Sequence, residues 1–503
     1  MELLSQIIKK LMKNKTRRNF IKKSSLFSTG FFIIPRNVLG GNGYVSPSDQ
    51  LNIGAIGIGG KGQDIMGDWA KNERVIALCD VDPENSVNGV TSSRKYYPNA
   101  NFYEDFREML DNEKDLDAVT VTTPDHTHAV IASNAMKKGL HVYVQKPLTH
   151  NIKEARTLTE LAKENKVVTQ MGNQGGSSSG ILKIQEWIDK QLIGKISKIN
   201  VWTDRPVWPQ GFQMKRSSQE KPKNLNWDLW LGPANYTDFT TELHPFNWRG
   251  WWDYGTGALG DMGCHLLDAP FKTLNLGYPT DVECSVATVF EKAWNHNYVP
   301  EGCPSSSIVT LHFDETSKNK SKVELVWMDG GLRPSHPDVI PAEDFLGEEY
   351  SRNGVLMIGD KGVISCGTYG INPKLYRKGE KTVSFSTDST VNEVPMLDFI
   401  HHKKWIDACK KGYNSNEHKN LSASFEYAGP FTEAVLMGNL AIRSYMLIGT
   451  KKPKYSSNTV HVSEHDNYIG RKKLLWDGAS MKITNFDLAN QFVGRVSRPG
   501  WDI

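Results

Sequence analysis

Between residues 51 and 172 the chain alternates short apolar runs with stretches of helical period. Residues 51–57, 75–80, 116–122, 140–144 and 167–171 are apolar over most of their length. Runs this short and apolar on both faces predict strands of a parallel sheet covered on each side. The stretches between them, opening a helix at 63–71 and continuing at 129–138 and 152–165, carry helical spacing. Strand–helix alternation with short links predicts a doubly wound parallel sheet. Beyond Gly172 the rhythm changes. Residues 199–203, 281–290, 307–313 and 322–328 read as strands, several with period-two alternation, separated by loops. They predict a largely antiparallel open sheet. Residues 424–446 have the apolar spacing of a long helix, with Phe425, Ala428, Phe431, Val435, Leu436 and Leu440 recurring on one side. That helix is expected to pack back on the first domain. The fold class expected is α/β: a parallel doubly wound domain over 46–172, then an α+β domain over 173–450. Residues 1–45 are set aside as leader and linker, and 451–503 as an arm that could reach a neighbouring subunit.

Composition narrows the class. At 503 residues the chain exceeds one ordinary core, and 39% hydrophobic with 23% charged residues is a globular composition. The formal charge is +4, part of it in the first 23 residues, so the body is near neutral. It lacks the basic stripe a nucleic-acid partner would need. No apolar run reaches the roughly 18 residues of a bilayer span. Six cysteines are scattered without CxxC spacing and read as buried or incidental thiols. Thr16-Arg17-Arg18-Asn19-Phe20-Ile21-Lys22, followed by a short apolar stretch at 26–34, resembles a twin-arginine export signal. The alternative is an ordinary amphipathic helix. Export by that route implies a periplasmic protein that travels folded with its cofactor inside, cleaved between Val38 and Ser46.

The candidate chemistry begins at Gly57-Ile58-Gly59-Gly60-Lys61-Gly62, a GxGxxG loop directly after a strand. Gly57 would make the tight turn, Gly59 would let backbone approach a pyrophosphate, and Gly62 would allow close helix packing. The N–H groups at the helix start would hold the phosphates. Asp80 ends the next strand, 18 residues after Gly62, where a carboxylate binds the adenosine ribose hydroxyls. A carboxylate there repels a 2′-phosphate, which favours NAD over NADP. This is the Rossmann pattern. His126 and His128, in Thr123-Pro124-Asp125-His126-Thr127-His128, have the spacing of a metal pair, but at a strand end in such a domain loop contacts to cofactor or a helix cap are favoured, and no metal is expected.

Gln145-Lys146-Pro147, with the Thr123–His128 hexapeptide and the glycine loop, resembles the Gfo/Idh/MocA oxidoreductase family, over nearly the whole chain from about Leu51. The resemblance implies NAD as cofactor and a homo-oligomer, dimer or tetramer, whose second-domain sheet serves association; free NAD is scarce outside the cytoplasm, so an exported protein is expected either to hold it tightly and recycle it with a second substrate or to use it transiently within one turnover. It implies cofactor contacts from the loop residues, Asp80, Thr123, Pro124, His126, His128, Gln145 and Lys146. The family usually carries Glu-Lys-Pro, so Gln145 departs from it; without that carboxylate, proton release by Lys146 should be easier. The family also places an aspartate and a histidine four apart in its active site, matched by Asp261 and His265, which on a helix share one face. In this reading Lys146 hydrogen-bonds the reacting oxygen, and His265, oriented by Asp261, takes its proton. Trp202, Trp208, Trp227, Trp230, Trp248, Trp251 and Trp252 cluster with Arg205 and Arg249. Indole faces suit sugar C–H faces, although most of these rings are expected in the core; Arg205 and Trp208 are the cleft candidates. The expected activity is hydride transfer to or from a secondary alcohol of a sugar, glycoside or cyclitol. The alternatives are a glycoside-cleaving enzyme that uses a transient ketone, whose family members carry a different histidine motif, and a carbohydrate-binding protein without chemistry.

Overall fold

The computed structural model describes residues 46–214, 219–292, 295–386, 393–450 and 467–503. The export signal expected at 16–34 and its cleavage region lie outside the described residues, apart from Ser46. Met1–Gln50 forms a unit by itself, described only as a 3-10 turn at Pro47–Asp49. All that follows concerns the second unit, Leu51–Ile503.

Six parallel strands form the first sheet: β1 (Asn52–Ile56), β2 (Arg74–Cys79), β3 (Asn101–Tyr103), β4 (Ala118–Val121), β5 (His141–Gln145) and β6 (Thr169–Gly172), in the order β3-β2-β1-β4-β5-β6. β1, β4 and β6 are almost wholly buried, as their apolar runs require. Only β3 escaped the sequence reading, being three residues long with partly exposed side chains. On one face lie α1 (His128–Lys137) and α2 (Ile152–Glu164), whose apolar residues share a core with the strands. The other face is closed by a helix from far along the chain, α4 (Glu393–Lys411), with Trp405, Ile406 and Cys409 in its core. His402 of that helix stacks between Trp69 and Tyr143, at ring separations of 4.5 and 4.3 Å. The strand order reverses between β1 and β4, and ligands of open α/β sheets bind at such a reversal, beyond the carboxyl ends of the strands.

The second sheet has ten strands and is antiparallel except where β12 meets β7. It is built from β7 (Ile196–Trp202), β8 (Asp281–Val286), β11 (Ser307–Phe313), β12 (Val323–Met328), β13 (Gly354–Gly359), β14 (Val363–Cys366), β15 (Lys374–Tyr376), β16 (Val383–Ser384), β17 (Leu474–Asp477) and β18 (Lys482–Ile483); β9 (Phe290–Lys292) and β10 (Asn295–His296) pair separately. The run expected at 281–290 is therefore two strands. Two helices join the sheets: the glycine-rich α3 (Gly257–Leu266) and α5 (Phe425–Tyr445). α5 packs against α2, as its periodicity led us to expect, and its Glu433 takes a two-pronged ion pair from Arg156 of α2 at 2.7 and 2.9 Å. The described part of the expected arm, 467–503, lies on its own chain. β17 extends the large sheet by pairing Leu474 with Val282, since an apolar edge at β8 gains hydrogen bonds and burial together.

Candidate active site

The glycine loop starts where β1 stops. Gly57 has φ +75°, and a Cβ there would lie 2.7 Å from the Thr122 carbonyl; a Cβ on Gly62 would lie 2.0 Å from the Gly57 carbonyl. Both positions demand glycine. The helix expected over 63–71 is instead two 3-10 stretches, Gly60–Met66 and Asp68–Ala70, parted by Gly67 in an extended conformation. The loop amides also differ from expectation. Ile58 N–H donates to Asp80 Oδ2 at 3.0 Å and Gly60 N–H to the Asn88 carbonyl at 2.6 Å. Protein acceptors hold these two donors, because the loop folds tightly upon itself and no α-helix start aims its amides outward. The charge beside the loop is Lys61, whose ammonium lies 2.6 Å from Asp64 and 2.8 Å from Asp398 of α4. Asp80, one residue past β2, sits beneath the loop, where burial pushes its carboxyl up to about 6 against the pull of the backbone N–H groups.

A cavity of about 450 Å³ opens along this edge, from Asp80 to α3. At its inner end Lys146, just after β5, meets Asp261 of α3: the Lys146 ammonium donates to Asp261 Oδ1 at 2.7 Å and to the Asp261 carbonyl at 2.8 Å. Arg249 Nε lies 3.9 Å from the same carboxylate oxygen. Burial alone would raise the Asp261 carboxyl, but Lys146 and Arg249 outweigh it and hold the group below its usual range. Asp261 and His265 share one face of α3 and both line the cavity. Asp261 does not orient the histidine, however; its carboxylate is taken by Lys146. His265 Nδ1 is buried without a hydrogen-bond partner, and the ring is placed edge-on against Tyr369 at 4.8 Å. Burial, reinforced by the charge on Lys146, drives His265 well below the ordinary histidine range, which keeps it neutral. Gln145 accepts a long contact, 3.3 Å, from the Lys146 amide and packs against Gly172. The carboxylate beside the Lys146 side chain is thus that of Asp261 on α3.

The hexapeptide after β4 builds the wall. Thr123 and Pro124 line the cavity. Asp125 accepts from Thr256, the residue before α3, at 2.6 Å, so the loop fixes where the site helix begins. His126 and His128 do not line the cavity. His126 Nε2 contacts the Trp230 carbonyl at 2.9 Å, and the two ring nitrogens of His128 lie 2.8 Å from the carbonyls of Pro147 and Thr123. They join loops instead of touching a ligand, because both rings are buried behind the lining. No cluster of metal-ligating side chains occurs among the described residues. Ile58 and Gly62 of the loop also stay off the cavity surface, whereas Gly57, Gly59, Gly60, Lys61, Asp80, Gln145 and Lys146 reach it.

Arg205 and Trp208 do not line the cavity. Trp208 is buried with its indole N–H on Gln210 at 2.8 Å, and all seven clustered tryptophans are buried. Trp230, Trp248, His244, Arg249 and Tyr369 take the wall positions instead. Arg249 was visible as part of the tryptophan-rich stretch, and its guanidinium stacks 4.2 Å over Trp248. Tyr369 carries a local signal, an aromatic in a Gly367-Thr368-Tyr369-Gly370 turn, and adopts φ +65°.

Comparison with known proteins adds identity to this geometry. Residues 51–173 match the profile of the Gfo/Idh/MocA oxidoreductase family, NAD-binding Rossmann fold, and residues 180–294 match the family's C-terminal α/β domain. Levoglucosan dehydrogenase of Pseudarthrobacter phenanthrenivorans is 22% identical over 229 residues, 44% of this chain and 50% of that one. A glycosyl hydrolase family 109 protein of Shewanella pealeana is 25% identical over 204 residues, 36% of this chain and 44% of that one. The chain thus spans about half the length of these curated relatives. A solved levoglucosan dehydrogenase, in complex with NADH and levoglucosan, shares the fold at TM-score 0.53 and 15% identity, over 78% of this chain and 97% of that one. Both domain profiles of the Gfo/Idh/MocA oxidoreductase family are thus matched in sequence order, over residues 51–173 and 180–294, and the cavity lies between the parallel sheet and α3.

Proposed function

We propose that the protein is an NAD-dependent oxidoreductase that moves hydride to or from a secondary alcohol of a sugar, glycoside or cyclitol. The observation that carries this reading is the Lys146–Asp261 pair at 2.7 Å, beside His265, in the cavity that also holds Asp80 and the glycine loop. The cavity suits a nicotinamide dinucleotide. A Cβ at Gly59 would come within 2.6 Å of Asn88 and fill the cradle, and Asp80 stands at the far end to take ribose hydroxyls. Bound NAD supplies the hydride acceptor. Lys146, whose side-chain nitrogen lies 2.7 Å from Asp261, donates a hydrogen bond to the reacting oxygen and polarises the alcohol. His265, neutral and unpartnered at Nδ1, is the group free to take the proton. Arg249 and Trp248 offer a charged and a flat surface to hydroxyls and C–H faces. The relative named for levoglucosan supports a sugar-like substrate. In this reading the leader carries the folded, NAD-loaded protein by the twin-arginine route to the periplasm, where the broad face of the ten-stranded sheet serves self-association.

The test starts with the nucleotide released by denaturing the purified protein, identified by mass and absorbance, and continues with a panel of sugars followed at the reduced-nicotinamide band. Lys146→Ala and His265→Ala should each abolish turnover while leaving bound nucleotide in place. Variants that turn over at the parent rate would take Lys146 and His265 out of the mechanism, and a parent protein that turns over none of the sugars would leave plain carbohydrate binding. A second reading follows from the family 109 relative. Oxidation of a ring hydroxyl acidifies the neighbouring C–H, eases loss of the glycosidic group, and reduction then restores the cofactor. Release of aglycone from an aryl glycoside without added NAD selects that reading.

A further inference from the structure

Trp501, near the end of the sequence, lines the same cavity as the glycine loop and Lys146, though it lies more than 300 residues from either. It stands at the Asp80 end. Its ring lies 6.2 Å from that of Phe106, and the segment leading to Phe106 is tied to the end of β2: Asp80 N–H donates to the Tyr103 carbonyl at 3.1 Å, and the Cys79 thiol to the Glu104 carbonyl. Ile131 and Leu229 also line the cavity and belong with these two rings to one apolar cluster, while Glu104 and Asp105 line it just before Phe106.

The segment carrying Trp501 is fastened. Arg498 donates to the Gly232 carbonyl at 2.8 Å, to the Asp228 carbonyl at 2.8 Å and to the Asp228 carboxylate at 2.6 Å. The Trp501 amide closes back on the Arg498 carbonyl at 3.1 Å. Arg495 pairs with Glu154 at 2.8 Å and also donates to the His126 carbonyl, within the hexapeptide that walls the site. Arg107 places its guanidinium 4.5 Å over the indole, fixing its plane from one side. A side chain held this firmly and only 6% exposed, yet facing the ligand cavity, is a preformed wall.

We infer that residues 495–501 form a strap across the adenosine end of the dinucleotide cleft, with Trp501 packing against the purine of the bound cofactor. The inference rests on the function proposed above. A purine presents a flat face with little hydrogen-bonding capacity, and an indole beside Phe106 and Ile131 matches it; such base–aromatic contacts are worth several-fold to about a hundredfold in affinity. The strap also gives a physical basis for holding NAD without cytoplasmic resupply, because departure of the adenosine half requires a fastened segment to move.

The test uses the full chain freed of nucleotide, and compares binding of NAD, ADP-ribose and nicotinamide mononucleotide by calorimetry for the parent, Trp501→Ala and Trp501→Phe. Trp501→Ala should weaken NAD and ADP-ribose about tenfold or more and leave nicotinamide mononucleotide unchanged, with Trp501→Phe intermediate. Unchanged mononucleotide binding also certifies that the variant is folded. Parent-like affinity of Trp501→Ala for ADP-ribose, or an equal loss for all three ligands, overturns the strap while leaving the proposed function standing. A parent protein that binds none of the three removes both.

Discussion

Lys146 and Asp261 come from separate sheets' territories, and their contact changes what Gln145 means. With an uncharged glutamine at 145, the carboxylate beside the Lys146 side chain is that of Asp261, at 2.7 Å. Asp261→Asn keeps the shape but removes that carboxylate, so kcat should fall about a hundredfold, the scale of a lost acid–base group. A Gln145→Glu change, by contrast, should leave kcat within a few-fold; steady-state kinetics on the two variants separates the roles. Asp80 has its own consequence. In the proposed binding mode its charge repels a 2′-phosphate, and burial pushes its carboxyl up to about 6. Preference for NAD over NADP should therefore weaken as pH falls through that value, since protonation removes the repulsion. Asp80→Asn, which still offers an acceptor to the Ile58 amide, should show the weakened preference at every pH, raising the NADP-to-NAD ratio of kcat/KM about tenfold. A pH-independent ratio in the parent protein would rule out this role for the carboxylate.

At the scale of elements, the site depends on how closely turns and helices approach. The turn holding Tyr369 is pressed against the start of the Ser179–Asp189 helix: a Cβ on Gly180 would lie 2.1 Å from the Gly370 carbonyl. That oxygen is backbone, so no side-chain rotation relieves the clash. Gly180→Ala should cost about 2 kcal/mol or more in denaturant unfolding and should also displace Tyr369 from His265, raising KM. The β3 edge, the 3-10 stretches after the glycine loop and the small strands β14–β18 were not legible from the pattern. Each is too short for its periodicity to stand out, and the 3-10 conformation follows from the packing of glycines against Thr122 and Asn88, contacts between residues distant in sequence.

For the whole molecule, the buried histidines set the response to acid. Burial drives His126, His401 and His402 down to about 3. The unfolded chain binds protons at these positions from about pH 6.5 downward while the native state does not, so stability is lost as pH falls. Asp80 and Asp329, raised to about 6 by burial, act in the opposite sense, but only as pH drops to that value. From about pH 7.5 to 6 these three histidines and two aspartates alone should give a net loss of about 1–2 kcal/mol, to which the buried His150 and His265 add in the same sense, read as a falling Tm; a Tm that rises over that interval would contradict the assignment of neutral histidines. The sequence by itself determined five of the six parallel strands, the turn glycines, the antiparallel character of the second sheet and the Asp261–His265 face of α3, because these follow from local periodicity and steric need. It also led to Lys146. Which side chains stand around the cavity was decided only in three dimensions. Arg249, Tyr369 and Trp501 replace Arg205 and Trp208 on its walls, and Asp261 turns to Lys146 and away from His265. Contacts between segments hundreds of residues apart are chosen by packing and charge pairing in the assembled core, and no local pattern encodes them.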